Sequence, residues 1–200
     1  LDDIKKNYEE AERYYKRALE LDADNATNVG NYANFLSDVK KDYEEAEKYY
    51  KRALELDADN ATNVGNYALF LDDIKKNYEE AERYYKRALE LEPDSANTIG
   101  NYAKLKIELE QSDAAEQLIE KAMVLNESNE MTLLAELWFY RYAIYPQWYE
   151  EGEKMLEDLL QKGITSPGWN LDVVVEKAKK LGHKNISKLE EFKRRITEQK

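Results

Sequence analysis

The stretch LDDIKKNYEEAERYYKRALEL, residues Leu1–Leu21, is written again letter for letter at Leu71–Leu91, and an edited copy, LSDVKKDYEEAEKYYKRALEL, lies between them at Leu36–Leu56. Tyr8, Tyr43 and Tyr78 mark the same point in the three copies, 35 residues apart. Tandem periods of about 20–50 residues belong to supersecondary units that cannot bury their apolar faces alone and build one core by stacking. The repeat decides the fold class before any single element is assigned.

Within one unit, Tyr43, Ala46, Tyr50, Ala53, Leu54 and Leu56 recur at near-helical spacing and predict an amphipathic helix. Asp42 precedes it with Glu45 three residues later, the spacing of a capping box, and Asn7/Glu10 and Asn77/Glu80 repeat the device. The polar segment Asp57–Asn60 breaks the pattern, and Val64, Tyr67, Ala68 and Leu71 resume it on a second helix expected to end near Lys76. Each unit therefore reads as a helical hairpin. Small residues at Ala46, Ala53 and Ala68 let the axes approach, while Tyr50 and Tyr67 fill the space around them.

Composition agrees with an all-α chain: 42% of the 200 residues are hydrophobic and 36% charged, with only 7 Gly and 3 Pro. No run of about 18 apolar residues would span a bilayer and the N-terminus is not signal-like, so a soluble protein without membrane contact is expected. With no cysteine there are no disulfides, thiolate metal sites or cysteine nucleophiles, which suits a cytoplasmic location. The chain begins at Leu1 in what reads as mid-helix, so a piece of a longer polypeptide is expected. Residues 161–200 hold 10 Lys/Arg against 5 Asp/Glu, which leaves −17 of the net −12 on residues 1–160. An acidic array repels phosphate backbones, so no nucleic-acid partner is expected, and the basic tail reads as a solvated helix face.

The arrangement resembles the tetratricopeptide repeat, whose W-x2-L-G-x2-Y helix is followed by A-x3-F and a later Pro. Val64, Tyr67, Ala68 and Leu71 fall on the first set, Ala81 and Tyr85 on the second, and Pro93 on the last. The early units depart from the pattern in having 35 rather than 34 residues, and the extra residue is expected to lengthen the first helix or its turn around Asp72–Lys76. The resemblance implies a right-handed α-solenoid of helical hairpins. Residues 1–129 form the repeat array, 130–163 a degenerate hairpin built from Met131–Tyr145 and Trp148–Leu160, and 164–200 the closing segment, with helices at Leu171–Leu181 and Ser187–Gln199.

The resemblance also implies that first helices line a concave groove for partner peptides. The groove positions are Thr27, Asn31, Asn34, Asp38, Thr62, Asn66, Leu69, Asp73, Asn101, Lys104 and Glu108. Asn amides bond both groups of a peptide unit, so Asn31, Asn66 and Asn101 read either as a ladder gripping a peptide or as links between hairpins. One subclass of the family clamps a C-terminal carboxylate with two Lys, two Asn and an Arg. Asn34, Asn66 and Lys104 match, but Gly30 replaces the first Lys and Glu108 reverses the Arg, so the clamp is rejected. Asp38, Asp73 and Glu108 favour a polar or basic partner segment.

No enzyme, cofactor or metal site is expected. The carboxylate pairs Glu9/Glu10, Glu44/Glu45 and Asp72/Asp73 are copied unit by unit, which suits caps and solvated faces rather than an acid/base pair in two environments. His183, the sole histidine, lies in the polar turn Gly182–Asn185 and reads as a surface residue. Gly30, Gly65 and Gly100 are single glycines on helices, not a phosphate loop, and either admit a neighbouring hairpin or let a peptide approach. The expected function is a protein-interaction scaffold, a module of a larger signalling or sensor protein. The alternative is a structural spacer or designed-like array with no dedicated ligand. Tyr8, Ala11, Tyr15 and Leu19 are expected to stay partly exposed and to support weak self-association through the N-terminal end.

Overall fold

The computed structural model describes residues 2–126, 130–167 and 169–198, with side chains from Asn7 onward. Leu1 lies outside this range, as do the array limit expected at Asn129 and the helix end expected at Gln199. All regular structure among the described residues is helical. α1 spans Asp2–Leu21, α2 Ala26–Phe35, α3 Tyr43–Leu56, α4 Ala61–Asp73, α5 Tyr78–Leu91, α6 Ala96–Glu108, α7 Ser112–Leu125, α8 Met131–Ile144, α9 Tyr149–Gln161, α10 Asp172–Lys180 and α11 Ile186–Thr197.

Side-chain caps set where these helices begin. Asp42 accepts from the Glu45 amide (3.2 Å), and Asn77 accepts from the Glu80 amide (3.4 Å) while donating to the Glu80 carboxylate (2.9 Å). The first helices have caps of their own: Asn25 and Asn60 accept from the amides of Asn28 and Asn63, both at 3.0 Å. The box expected at Asn7 and Glu10 does not form, because α1 runs on through the positions where the later copies turn.

The extra residue of the 35-residue units sits at the end of the first helix. α2 continues into one π turn, Leu36–Lys40, and at the end of α4 the Lys75 amide takes the same five-residue step to the Phe70 carbonyl (3.2 Å). Lys41 and Lys76 then turn left-handed, with φ of 57° and 54°, and the amides of Asp42 and Asn77 reach back six residues to Leu36 and Leu71 (2.9 and 3.0 Å). In the α6–α7 hairpin Glu110 is the left-handed residue (φ 62°), and Gln111 reaches back only five, to Lys106 (2.9 Å). One residue fewer removes the π step and leaves an ordinary helix end.

The contacts divide the chain into two units, residues 1–93 and 94–200. In the first, α2 pairs with α3 and α4 with α5, and their core repeats its geometry along with its sequence. Tyr15–Tyr32 and Tyr50–Tyr67 have ring centroids 5.8 and 5.7 Å apart, both tilted by 33°, and Phe35 and Phe70 lie 5.2 and 5.1 Å from Tyr15 and Tyr50. Ala46, Ala53 and Ala68 are fully buried between them. Gly30 belongs to this packing: a Cβ there would lie 2.0 Å from Oδ1 of Asn63, whose amide donates to the Ala26 carbonyl (3.0 Å).

In the second unit α6 pairs with α7 and α8 with α9. A Cβ at Gly100 would meet Leu133 of α8 at 3.1 Å, so this glycine too admits a neighbouring helix. α8 is covered along nearly its whole length, because α10 packs on α6 and α8 while α11 packs on α8 and α9.

Candidate functional site

α2 and α4 touch and present one shared face in the first unit. Thr27, Asn31, Asp38 and Thr62 are exposed there, and Asn34, Asn66, Leu69 and Asp73 are half-buried. Asn34 is engaged within the fold, since its side-chain carbonyl accepts from the buried Tyr50 hydroxyl at 2.7 Å. Burial raises the Tyr50 hydroxyl, and the charge of Asp38 adds to the rise. Asp38 reaches solvent on one side, yet protein crowded around its carboxyl raises it above the usual carboxylate value. A hydrogen bond from Ser37 and the Lys41 charge oppose that rise, and the Asp73 charge reinforces it. The face thus holds two carboxylates that repel each other. Asp72, beside them in sequence, is fully buried rather than part of a solvated face, as its place on the core side of α4 requires.

The remaining predicted positions lie on α6 in the second unit. Asn101 and Glu108 are half-buried, and Lys104 is only 1% exposed. Its ammonium stands 5.9 Å from the ring of Trp169, and Glu136 on α8 lies close enough to feel its charge. Glu136 is itself 3% exposed and accepts from the Ser166 hydroxyl at 2.5 Å; burial pushes its carboxyl up to about 8. The Trp169 indole N–H donates to the hydroxyl of the fully buried Tyr140 at 2.8 Å. Sequence reasoning placed Lys104 but missed Glu136, Tyr140, Ser166 and Trp169 around it. The cluster's one signal is the pair of charges inside otherwise apolar first-helix patterns.

His183 is buried, not on the surface. Its ring lies against Tyr142 and Tyr149, with centroids 4.9 and 4.4 Å away. Nδ1 accepts from the Asn185 amide (3.1 Å), which makes Nε2 the donor to the Tyr142 carbonyl (3.0 Å). Burial lowers its pKa and keeps it neutral, the state of a structural plug rather than a proton shuttle. The basic tail is likewise not a bare solvated face, for Lys188 and Arg195 both pair with Glu157, at 2.5 and 2.8 Å. Among the described residues no group of three or more His, Cys, Asp or Glu is placed to hold a metal ion. No helix of the described residues is long and apolar enough to cross a membrane.

Two family models match the chain: one described as TmcB, TPR repeats over residues 1–63, and one described as tetratricopeptide repeat over residues 74–129. No curated protein sequence matches it. Among solved structures the chain is similar to PilF of Pseudomonas aeruginosa, with 23% identity over 94% of this chain and 82% of that one and a TM-score of 0.63. It is similar to PilW, a type IV pilus biogenesis factor, with 17% identity over 94% and 83% and a TM-score of 0.66. YrrB, a TPR protein with an unusual peptide-binding site, aligns at 21% identity over 91% of both chains with a TM-score of 0.53. At such identities these structures share the fold. With hairpins of the expected pattern and two repeat models that together span more than half of the residues, the chain belongs to the tetratricopeptide-repeat family.

Proposed function

We propose that the chain is a protein-interaction scaffold, a module of a larger signalling or sensor protein, whose α2–α4 face holds a polar or basic segment of a partner protein. The observation that carries this reading is the placement of two carboxylates, exposed Asp38 and half-buried Asp73, on one accessible face. An incoming Lys or Arg complements these negative charges, so the face favours cationic segments. Asn31 and Asn66 supply amides that bond both groups of a peptide unit, and half-buried Leu69 adds an apolar foothold. The fold shared with YrrB, itself a peptide binder, supports the same reading.

Calorimetric titration with a Lys/Arg-rich decapeptide and its Glu-substituted counterpart tests it. The basic peptide is expected to bind, with affinity falling at least tenfold in Asp38→Asn/Asp73→Asn and falling again as salt is raised. Equal binding of the two peptides, or no loss in the double variant, overturns the assignment.

A further inference from the structure

One ring ties the turn between α10 and α11 to the helices beneath it. After α10 the chain turns left-handed at Gly182 (φ 74°), and the His183 amide reaches back to the Ala178 carbonyl (3.0 Å). Two residues later Asn185 caps α11 by accepting from the Lys188 amide (3.1 Å). Between these two ends the His183 imidazole, on a residue 5% exposed, is wedged against Tyr142 of α8 and Tyr149 of α9. Phe192 of α11 also meets the Tyr142 ring, with centroids 5.4 Å apart.

Both ring nitrogens are committed to backbone groups that cannot exchange roles. Nδ1 accepts from the Asn185 amide and Nε2 donates to the Tyr142 carbonyl, which admits only the neutral Nε2–H tautomer. A second proton would sit on Nδ1, facing the Asn185 N–H across 3.1 Å in a slot walled by aromatic rings. Burial lowers the histidine, Lys184 adds to the fall, and Glu153 of α9 opposes it. The Tyr142 and Tyr149 hydroxyls are raised by burial and stay uncharged. On α10 Lys179 pairs with Glu176 and with Glu190 of α11, and on α11 Lys188 pairs with Glu191 and with Glu157 of α9. Bonds from Lys188 and Lys179 lower the Glu157 and Glu190 carboxyls, so these ties keep their charge while the histidine gains a proton.

We infer that His183 is an acid-released latch: neutral, it docks the α10–α11 turn and α11 onto α8 and α9, and protonated, it frees them together. Release bares Leu189, Phe192 and Ile196, fully buried in the docked state, so acid exposes an apolar surface. The latch is separate from the acidic α2–α4 face, and either assignment stands or falls alone. Only the opened form takes up the proton freely. Its population therefore rises by up to about tenfold per pH unit as pH falls below 6.5, and levels off at the lowered value of the docked ring.

Native-state hydrogen exchange of the full chain, followed from about pH 7.5 to 5 and corrected for intrinsic exchange rates, tests the latch. In wild type the opening constant of amides 183–192 is expected to rise at least about fivefold over that range and to exceed that of α8 throughout. In His183→Gln it is expected to stay flat. A flat wild type, a variant that keeps the rise, or an α11 that exchanges only together with α8 overturns the inference. Should the variant fail to fold, nitrogen NMR of the sole histidine in the wild type decides. The Nε2–H tautomer at neutral pH, with protonation in step with lost protection of α11, is the expected result. Titration at the ordinary histidine value while the α11 amides stay protected contradicts the latch.

Discussion

Ala53 is fully buried where α2 and α3 meet, whereas Ala18, the same letter in the first copy, is half-buried on α1. Replacing Ala53 by Leu is expected to overpack that hairpin and cost about 1–3 kcal/mol, and Ala18→Leu to cost less, both read from denaturant midpoints. Gly30→Ala gains up to about 1 kcal/mol in helix propensity but drives its methyl into Asn63. Losing the bond from Asn63 to the Ala26 carbonyl outweighs the gain, so a net loss of roughly 1–2 kcal/mol is expected. Glu136 predicts a pH effect of definite sign. Its folded carboxyl titrates near 8 instead of 4.5, so the folded state holds a proton that the unfolded state gives up between those values. Wild-type stability should therefore decline as pH rises from about 4.5 to 8, by roughly 4 kcal/mol at most, and Glu136→Gln should remove that decline. The lowered His183 works in the opposite direction, with stability lost as pH falls below 6.5, so the two proteins are compared by urea unfolding at each pH. The burial of Ala53 and Tyr50 is legible from spacing alone, because their partners lie in the same hairpin. That of His183 is not, since Tyr142 lies 41 residues away.

At the scale of elements the repeat is most legible where helices start, because the caps at Asp42 and Asn77 are local chemistry. The extra residue is legible as a count, and the structure resolves it into the π turn Leu36–Lys40 and its counterpart at Lys75. Deleting Lys40 should convert the first hairpin to the ordinary end seen at Glu110–Gln111. It sacrifices only the exposed Lys40–Glu12 pair (2.7 Å), a contact worth about 0–1 kcal/mol, and a melting temperature within a few degrees of wild type is expected. Deleting Ala33 instead rotates the rest of α2 by about 100° and takes Phe35 and Leu36 out of the core, so cooperative unfolding should be lost. The continuity of α1 was hidden by the sequence identity itself. Leu1–Leu21 and Leu71–Leu91 share every residue, yet the chain turns before Tyr78 where α4 folds back on α5, whereas α1 runs as one helix through the equivalent positions from Asp2.

For the molecule as a whole, the family and the hairpin pattern follow from the repeat, while the state of each first-helix face does not. Asn31, Asn66 and Asn101 are equivalent by spacing, as are Asp38 and Asp73, but only tertiary placement separates an accessible face in the first unit from a covered one in the second. Lys104 is buried with its ammonium 5.9 Å from the Trp169 ring, a neighbour that no periodicity links to it. The central claim, that the accessible acidic face of α2 and α4 is where a basic partner segment docks, is tested most directly by nitrogen-15 chemical-shift mapping of the chain titrated with a Lys/Arg-rich decapeptide. Saturable shifts confined to the amides and side-chain amides around Asn31, Asn34, Asp38, Asn66, Leu69 and Asp73 are predicted. Shifts centred on other helices, or none at millimolar peptide and low salt, would contradict it.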